Sequence, residues 1–345
     1  MTNSSKDKTI RTTETLIEQG LCDPTQKEKL NQIAEQFSIA ITPEISTTIH
    51  HPGIAKQFIP AVEEAHIAPN ELTDPIGDEP HQKIKGVIHR YTDRCLLLPV
   101  SVCPVYCRFC FRREKIGSKQ PALSPEELQN AYAYIQNHPE IWEVILTGGD
   151  PLILKPKSLD EILKNLTAIP HVDVIRIHTR VPVVDPSRIN ASLLKVLKIK
   201  KPVYIVLHAN HPEEFTEAAK KACASLIDHG IPMLSQTVLL KDINDNVDTL
   251  SQLMRCFVRN RIKPYYLHHP DLAKGTQHFR IPIRKGQALM KALKKKTSGL
   301  CHPQYVLDIP GGYGKIPLQH CYIQEKNADL YSIEDLDGQL HRYEE

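Results

Sequence analysis

The chain has 345 residues, with 43 basic and 40 acidic side chains and a formal net charge of +3. That length accommodates one barrel-sized domain with an appendage, and the near balance of charge makes neither nucleic acid nor a membrane surface an expected partner. Because the first twenty residues lack the apolar run of a secretion signal, we expect a cytoplasmic protein. In that compartment clustered cysteines point to metal binding or catalysis rather than to disulfides, and three of the nine cysteines lie within eight residues while the other six are scattered.

The first part of the chain differs in pattern from the rest. Residues 1–84 are polar and of helical pattern, with a stretch rich in Pro and His toward their end. They predict a mainly helical N-terminal extension.

From Cys95 onward, short apolar or β-branched runs alternate with amphipathic stretches of helical period. The predicted strands are 95–102, 143–148, 173–178, 202–208, 232–240 and 263–268. Units with this spacing predict an α/β fold over 85–300, namely a partial (β/α)6 barrel of the TIM type. A doubly wound open sheet is the alternative. Residues 301–345 follow as a short C-terminal segment.

Polar residues stand where successive predicted strands end. They are Cys103, Gly148, Gly149, Asp150, His178, Arg180, His208, Gln236, His268 and Asp271. The carboxyl ends of the strands in a parallel barrel open onto one face, and that face carries the active site. We therefore expect these side chains to meet there.

Three cysteines follow the first of these strands. Cys103, Cys107 and Cys110 are spaced by four and three residues, so their thiolates can bind three irons of a [4Fe–4S] cluster and leave the fourth iron without a protein ligand. A closed zinc site takes four ligands, and no second cysteine pair is present. A redox dithiol accounts for two of the three cysteines. The spacing favours the cluster, with zinc, a dithiol or a chance grouping of buried cysteines as alternatives.

A glycine-rich segment near the C-terminus, DIPGGYGKIP, contains Asp308 and Lys315. It is not a phosphate-binding P-loop, which needs Gly at the position of Ile309 and Ser or Thr at that of Ile316. Taken alone, the segment is typical of a surface loop with a solvated lysine.

The spacing CxxxCxxC, with the aromatic Phe109 inside it, resembles the radical S-adenosylmethionine (SAM) superfamily. The resemblance implies that the open iron binds SAM and that reductive cleavage yields a 5′-deoxyadenosyl radical. It also implies an electron donor such as flavodoxin or ferredoxin. The residues implied for SAM binding are Gly148, Gly149, Asp150, His208 and Gln236.

The loop around Lys315 is similar to that of lysine 2,3-aminomutases, and further matches include PGIAKQFIP, LTGGDPL, HANHPEE and KPYYLHHPDLAKGTQHFR. The resemblance implies an isomerase that converts L-lysine to β-lysine, with Lys315 binding pyridoxal 5′-phosphate (PLP) covalently. Implied PLP contacts are Arg90, Tyr91 and Arg94, and implied substrate contacts are Arg112, Asp271 and Asp308. Carboxylates suit a lysine ε-ammonium, because an unpaired buried charge is costly.

The chain departs from the clostridial type of these enzymes. Asn246 stands where that type has a further zinc-binding cysteine, and only Cys301 and Cys321 follow the barrel. Zinc and the oligomeric state, a homo-oligomer included, therefore stay open. The short C-terminal segment resembles instead the branch that makes β-lysine for modification of elongation factor P. Another amino acid as substrate, or a non-enzymatic zinc or redox protein, are the remaining alternatives.

Overall fold

The computed structural model of the chain describes residues 8–117, 122–327 and 330–344. Its centre is a ten-stranded sheet in which the spatial order of the strands follows their order along the chain. The strands are β1 (Gln82–Ile84), β2 (Val87–Tyr91), β3 (Arg94–Val100), β4 (Glu143–Gly148), β5 (Val174–Thr179), β6 (Val203–His208), β7 (Met233–Val238), β8 (Lys263–His268), β9 (Gln304–Ile309) and β10 (Gly314–Pro317). Neighbours from β3 to β9 pair in parallel. The predicted α/β fold with a partial barrel is confirmed.

The six predicted strands correspond to β3–β8, and the sheet continues beyond them on both sides. A hairpin of β1 and β2 pairs antiparallel with β3, and β9 adds a further parallel strand next to β8. Strand β10 then folds back on β9. Segments on both sides of residues 84 and 300 thus share one sheet, and the division into three domains stays a prediction.

Helices connect the parallel strands and cover the outside of the sheet. They are α6 (Pro125–Gln136), α7 (Pro156–Ala168), α8 (Val181–Val184), α9 (Ala191–Leu197), α10 (Glu217–Asp228), α11 (Val247–Arg259) and α12 (Ile283–Lys296). In α11 the buried residues Leu250, Leu253, Met254 and Phe257 recur at helical spacing on one face. Asn246 begins this helix, since its side chain accepts a hydrogen bond from Thr249 N at 2.9 Å.

The N-terminal extension packs against the barrel. Its helices are α1 (Thr13–Glu18), α2 (Lys27–Gln36), α3 (Pro43–Thr48), α4 (Pro52–Phe58) and α5 (Asp78–His81). Leu16, Ile45 and Phe58 belong to the same buried hydrophobic cluster as Val144 of β4 and Ile175 of β5. Burial of apolar surface therefore joins the extension to the barrel without a separating gap.

The C-terminal segment ends in a second, antiparallel sheet. Its strands are β11 (Ile323–Asn327), β12 (Leu330–Glu334) and β13 (Leu340–Glu344). Ion pairs connect it to α12, where Lys291 contacts Glu334 and Lys295 contacts Asp337. Across the part of the chain that the structure describes, no helix is both long and apolar enough to cross a bilayer.

Candidate active site

The carboxyl ends of the parallel strands open onto a cavity of about 750 Å³. It extends from the cysteine-containing loop after β3 to the hairpin of β9 and β10. Every residue that the sequence predicts for the site contributes to its wall. The structure therefore brings the predicted residues together, while the role of each one stays a prediction.

The cysteine loop places three unbridged thiols on this wall, those of Cys103, Cys107 and Cys110. Burial raises the pKa of each thiol, to about 11 for Cys110, and nearby Asp150 raises that of Cys103 further. A metal cation bound at these thiols would offset this cost, because it stabilises the thiolate form.

These thiols do not converge on a single point. Within residues 8–117, 122–327 and 330–344, no three His, Cys, Asp or Glu side chains could hold one metal ion. A closed zinc site needs its ligands around one ion, whereas the thiolates of a [4Fe–4S] cluster each bind a different iron. Three thiols on one loop match the number of protein ligands of a [4Fe–4S] cluster that has one open iron.

A buried ion-pair cluster supports the cysteine loop. Arg108 Nε donates to Glu64 Oε1 at 2.9 Å, and Arg113 pairs with the same carboxylate. Although burial would raise the pKa of Glu64, the two guanidinium groups hold that pKa below its usual value. Sequence reasoning missed this cluster, because Glu64 lies 44 residues from Arg108. The density of arginine in CRFCFRR was the available signal.

Gly148 and Gly149 let two backbone segments approach closely. Gly149 N donates to Val100 O at 2.7 Å, and a Cβ added at Gly149 would lie 2.2 Å from Val102 O. The Asp150 carboxylate accepts hydrogen bonds from Thr179 Oγ1 and from three backbone N–H groups. In this structure the segment therefore positions the start of the cysteine loop. Its contacts to SAM stay a prediction.

Replacing Gly149 by alanine is expected to destabilise the protein by about 3 kcal/mol, since backbone must move to admit the new methyl group. Thermal unfolding of the two proteins measures the difference. Gly299→Ala is the matched control, because a Cβ at Gly299 meets no atom within 4 Å. Equal melting temperatures for the two variants would contradict the close approach.

His208 ends β6, and its register partner on β7 is Gln236. His208 Nε2 lies 3.2 Å from Asn210 Oδ1, and the rings of His208 and Phe109 are 5.6 Å apart. Burial, together with the charge of Arg180, lowers the pKa of His208 to about 3. The imidazole is therefore neutral at pH 7 and can accept as well as donate a hydrogen bond.

Lys315 lies on β10 directly opposite Asp308 of β9. Its ammonium group donates to the Asp308 carboxylate and lies 3.3 Å from His268 Nδ1. Arg90 Nη2 contacts the same carboxylate at 3.2 Å. Because two cations share one buried carboxylate, Asp308 is the electrostatic centre of this end of the cavity.

The turn between β9 and β10 depends on glycine. Gly311, Gly312 and Gly314 all have positive φ, between 85° and 102°. A Cβ at Gly77 would lie 2.3 Å from Gly312 N, so the turn packs directly on the loop before α5. Close packing of backbone on backbone holds Lys315 at the cavity, and the lysine is not the solvated surface residue that an isolated segment suggests.

Asp271 and Arg112 complete the polar wall. Burial raises the pKa of Asp271 to about 7, and the negative charge of Asp308 adds to the rise. Arg112 Nε donates to Asp78 Oδ2 at 2.7 Å, and its guanidinium lies 4.6 Å from the centre of the Phe111 ring. The ionised form of Asp271 therefore has little stabilisation in the site, whereas the Arg112 guanidinium is held in position by Asp78.

Tyr91 and Arg94 form a platform next to Lys315. Tyr91 Oη accepts a hydrogen bond from Lys315 N at 2.8 Å. The Arg94 guanidinium stacks 3.8 Å from the centre of the Tyr91 ring and pairs with the exposed Asp93 at 2.6 Å. Tyr91 thus contacts the backbone of Lys315 and carries the Arg94 guanidinium on its ring.

Sequence reasoning left several residues of the cavity without a role. His178, Arg180 and His268 were recognised only as polar ends of strands. Burial lowers the pKa of His178 and of His268 well below its usual value. Arg180 contacts Cys107, and the partners that hold it are distant along the chain. Their position at strand ends therefore correctly predicted that these residues line the cavity, but it assigned no role to any of them.

Comparisons with known proteins identify the family of this chain. Residues 97–254 match the radical SAM superfamily, and residues 290–345 match the family described as Lysine-2,3-aminomutase. A radical SAM methyltransferase from Sphaerobacter thermophilus of known structure is 16% identical, with a TM-score of 0.47 over 64% of this chain and 68% of that one.

Two curated relatives are much closer in sequence. L-lysine 2,3-aminomutase of Acetoanaerobium sticklandii is 38% identical over 97% of this chain and 82% of its own length. Glutamate 2,3-aminomutase of Clostridioides difficile is 35% identical over 93% of this chain and 76% of its own length. The chain therefore belongs to the lysine 2,3-aminomutase family of radical SAM enzymes, which confirms the predicted isomerase class and, for the family, the cofactor set of a [4Fe–4S] cluster, SAM and PLP.

Proposed function

We propose that this chain converts L-lysine to β-lysine by moving the amino group from Cα to Cβ. The observation that carries the proposal is a pair of carboxylates, Asp271 and Asp308, on the wall of the cavity that also holds Lys315. Their mutual influence is evident in the pKa of Asp271, which burial and then Asp308 raise to about 7.

One of these carboxylates already binds an ammonium group. The Lys315 side chain places its Nζ on Asp308, so this carboxylate accepts an ammonium at the end of an alkyl stem. The ε-ammonium of substrate lysine has the same chemistry. If Lys315 were attached to PLP, its side chain would no longer pair with Asp308, and this carboxylate would be available to the ammonium group of the substrate.

Asp271 supplies the second charge. No hydrogen bond or ion pair from the described residues satisfies its carboxylate, and burial disfavours its ionised form. A cation in the cavity stabilises that form. The side-chain carboxylate of glutamate would instead meet two like charges in a partly desolvated site, which is costly. The charge pattern favours lysine over glutamate, the substrate in the name of one relative.

Arg112 is suited to the α-carboxylate of the substrate. Its Nε is held by Asp78 at 2.7 Å, and no described protein atom accepts a hydrogen bond from its Nη groups. A planar guanidinium held at one edge offers a preorganised donor to a carboxylate. Arg112 would bind the α-carboxylate, and the two aspartates would bind a cation at the far end of the side chain. Together they would select an amino acid with a cationic side chain.

The cofactors would be held by residues of the same wall. Cys103, Cys107 and Cys110 bind the cluster, and Lys315 binds PLP. When bound, the cluster and SAM supply a 5′-deoxyadenosyl radical, and PLP carries the migrating nitrogen. The protein orients the reactants and excludes water.

The remaining contacts follow from position in the cavity. Tyr91 and Arg94 form a surface and a cation for PLP beside Lys315, whereas Arg90 is engaged by Asp308 and by Ile76 O at 2.9 Å. Gly148, Gly149, Asp150, His208 and Gln236 are proposed for SAM.

Product analysis tests the substrate. Enzyme reconstituted with iron and sulfide would be incubated with SAM, a reductant, PLP and, separately, L-lysine, L-glutamate or L-arginine. We expect β-lysine and no other β-amino acid. Formation of β-glutamate with lysine unchanged would refute the proposal. A role of β-lysine in modifying elongation factor P stays a prediction.

Covalent trapping tests Lys315. Reduction with borohydride in the presence of PLP is expected to leave a stable PLP adduct on the peptide that contains Lys315, detectable by mass spectrometry. Lys315→Ala should lose this adduct and fall to background activity, whereas Lys241→Ala, at an exposed site outside the cavity, should keep both. An adduct retained in Lys315→Ala would place PLP on another lysine.

A further inference from the structure

Arg180 is a buried arginine whose guanidinium contacts the central cysteine of the predicted cluster. It follows β5 directly and is 5% exposed. Its Nη1 donates to Cys107 Sγ at 2.9 Å. Within the described chain, Cys107 is the one of the three cysteines whose sulfur accepts a hydrogen bond from a side chain.

The orientation of this guanidinium is set by its other contacts. Nη2 donates to Glu214 Oε2 at 2.7 Å and also to Gln57 Oε1. The guanidinium lies 4.6 Å from the centre of the Phe58 ring. Because the guanidinium is planar and rigid, these contacts from the extension and from the loop after β6 aim Nη1 at the sulfur.

The partner carboxylate is equally constrained. Glu214 Oε1 accepts hydrogen bonds from Asn210 N at 2.8 Å and from His211 N at 3.0 Å, and Glu214 is 1% exposed. Its negative charge balances that of Arg180, which makes burial of the pair tolerable. What remains at the sulfur is a directed N–H donor whose charge is compensated a few ångströms away.

We propose that Arg180 is a positioning residue that donates a hydrogen bond to the Cys107 thiolate and makes the [4Fe–4S] cluster easier to reduce. Hydrogen bonds to cluster sulfurs are one of the main factors that set the reduction potential. A donor stabilises the added negative charge of the reduced state more than the oxidised state. The inference rests on the proposed ligation of the cluster by Cys107.

The test is the midpoint potential of the reconstituted cluster, followed by electron paramagnetic resonance during a redox titration. The double variant Arg180→Met/Glu214→Gln removes the donor without leaving an unpaired charge. We expect its cluster to be about tenfold harder to reduce, equivalent to about 59 mV for a one-electron couple. Glu214→Gln alone keeps the donor and removes the compensating charge, so its potential should rise.

Two further variants separate this role from a structural one. Arg180→Lys retains a cationic donor and should lie between the double variant and the unaltered protein. Arg176→Lys changes another buried arginine, which is bound to Glu143 at 2.8 Å and lies on β5, four residues before Arg180. It should leave the potential unchanged. Unchanged potentials in both the double variant and Glu214→Gln, with full iron content, would overturn the role of Arg180 while leaving the aminomutase proposal intact.

Discussion

A Cys107→Ala variant is expected to lose the [4Fe–4S] cluster and, with it, all cleavage of SAM. The three cysteines of the loop are the cysteines that line the cavity, and we expect two thiolates to be too few to retain the cluster. The fold should persist, because the loop is also held by Tyr106 N on Ala40 O at 2.9 Å and by Arg108 N on Gln57 O at 2.8 Å. The variant should therefore lose cluster binding without unfolding.

Iron and sulfide per chain after anaerobic reconstitution measure this result, together with the release of 5′-deoxyadenosine. Cys256→Ala is the matched control, since Cys256 is a half-buried cysteine on α11, outside the cavity. It should keep full iron content and activity. If Cys107→Ala bound as much iron and sulfide and still cleaved SAM, the cysteine loop would not be the cluster site. Zinc without iron in the unaltered protein would also refute the whole assignment.

An Asp271→Asn variant is expected to lose lysine turnover while keeping the cluster. Removing one partner of a desolvated charge pair costs about 3–5 kcal/mol, which lowers kcat/KM for lysine by about 10²- to 4 × 10³-fold at 1.4 kcal/mol per tenfold. The substitution is nearly isosteric and breaks no described hydrogen bond of Asp271. Asp308→Asn is a less direct test, because Asp308 also holds Lys315 and Arg90.

The pH dependence of lysine binding provides a second check on the role of Asp271. Burial raises the pKa of Asp271 to about 7, so this carboxyl group is protonated in the free enzyme below that pH and ionised above it. Lysine should therefore bind more tightly as the pH rises through about 7, and Asp271→Asn should remove this dependence. Asp242→Asn, at an exposed aspartate paired with Lys56, is the control. Full lysine activity in Asp271→Asn would refute lysine recognition by this carboxylate.

Much of the fold could be predicted because its signals are local. The six predicted strands coincide with β3–β8 to within one or two residues, since each is a short apolar run between helical patterns. The sheet has more strands than predicted. Strand β9 lies in the segment around Asp308, for which the sequence predicted functional residues but no strand. Its pairing with β8 depends on contacts that no local pattern encodes.

The cysteine spacing, the segment Gly148–Asp150 and the loop of Lys315 were also visible as local patterns. Each reflects a requirement of a few consecutive residues: thiols spaced for a cluster, or glycines where backbone must approach backbone. The predicted location of these residues on one cavity wall is what the structure shows.

The partners of these residues were decided by tertiary structure alone. Gln57 lies 123 residues before Arg180, and Glu64 lies 44 residues before Arg108. A buried charge must find its partner wherever the fold brings one, and sequence separation carries no information about that choice. Residue types and their spacing therefore determined the class of chemistry, whereas packing of the N-terminal extension on the barrel decided which groups hold and tune the cysteine loop.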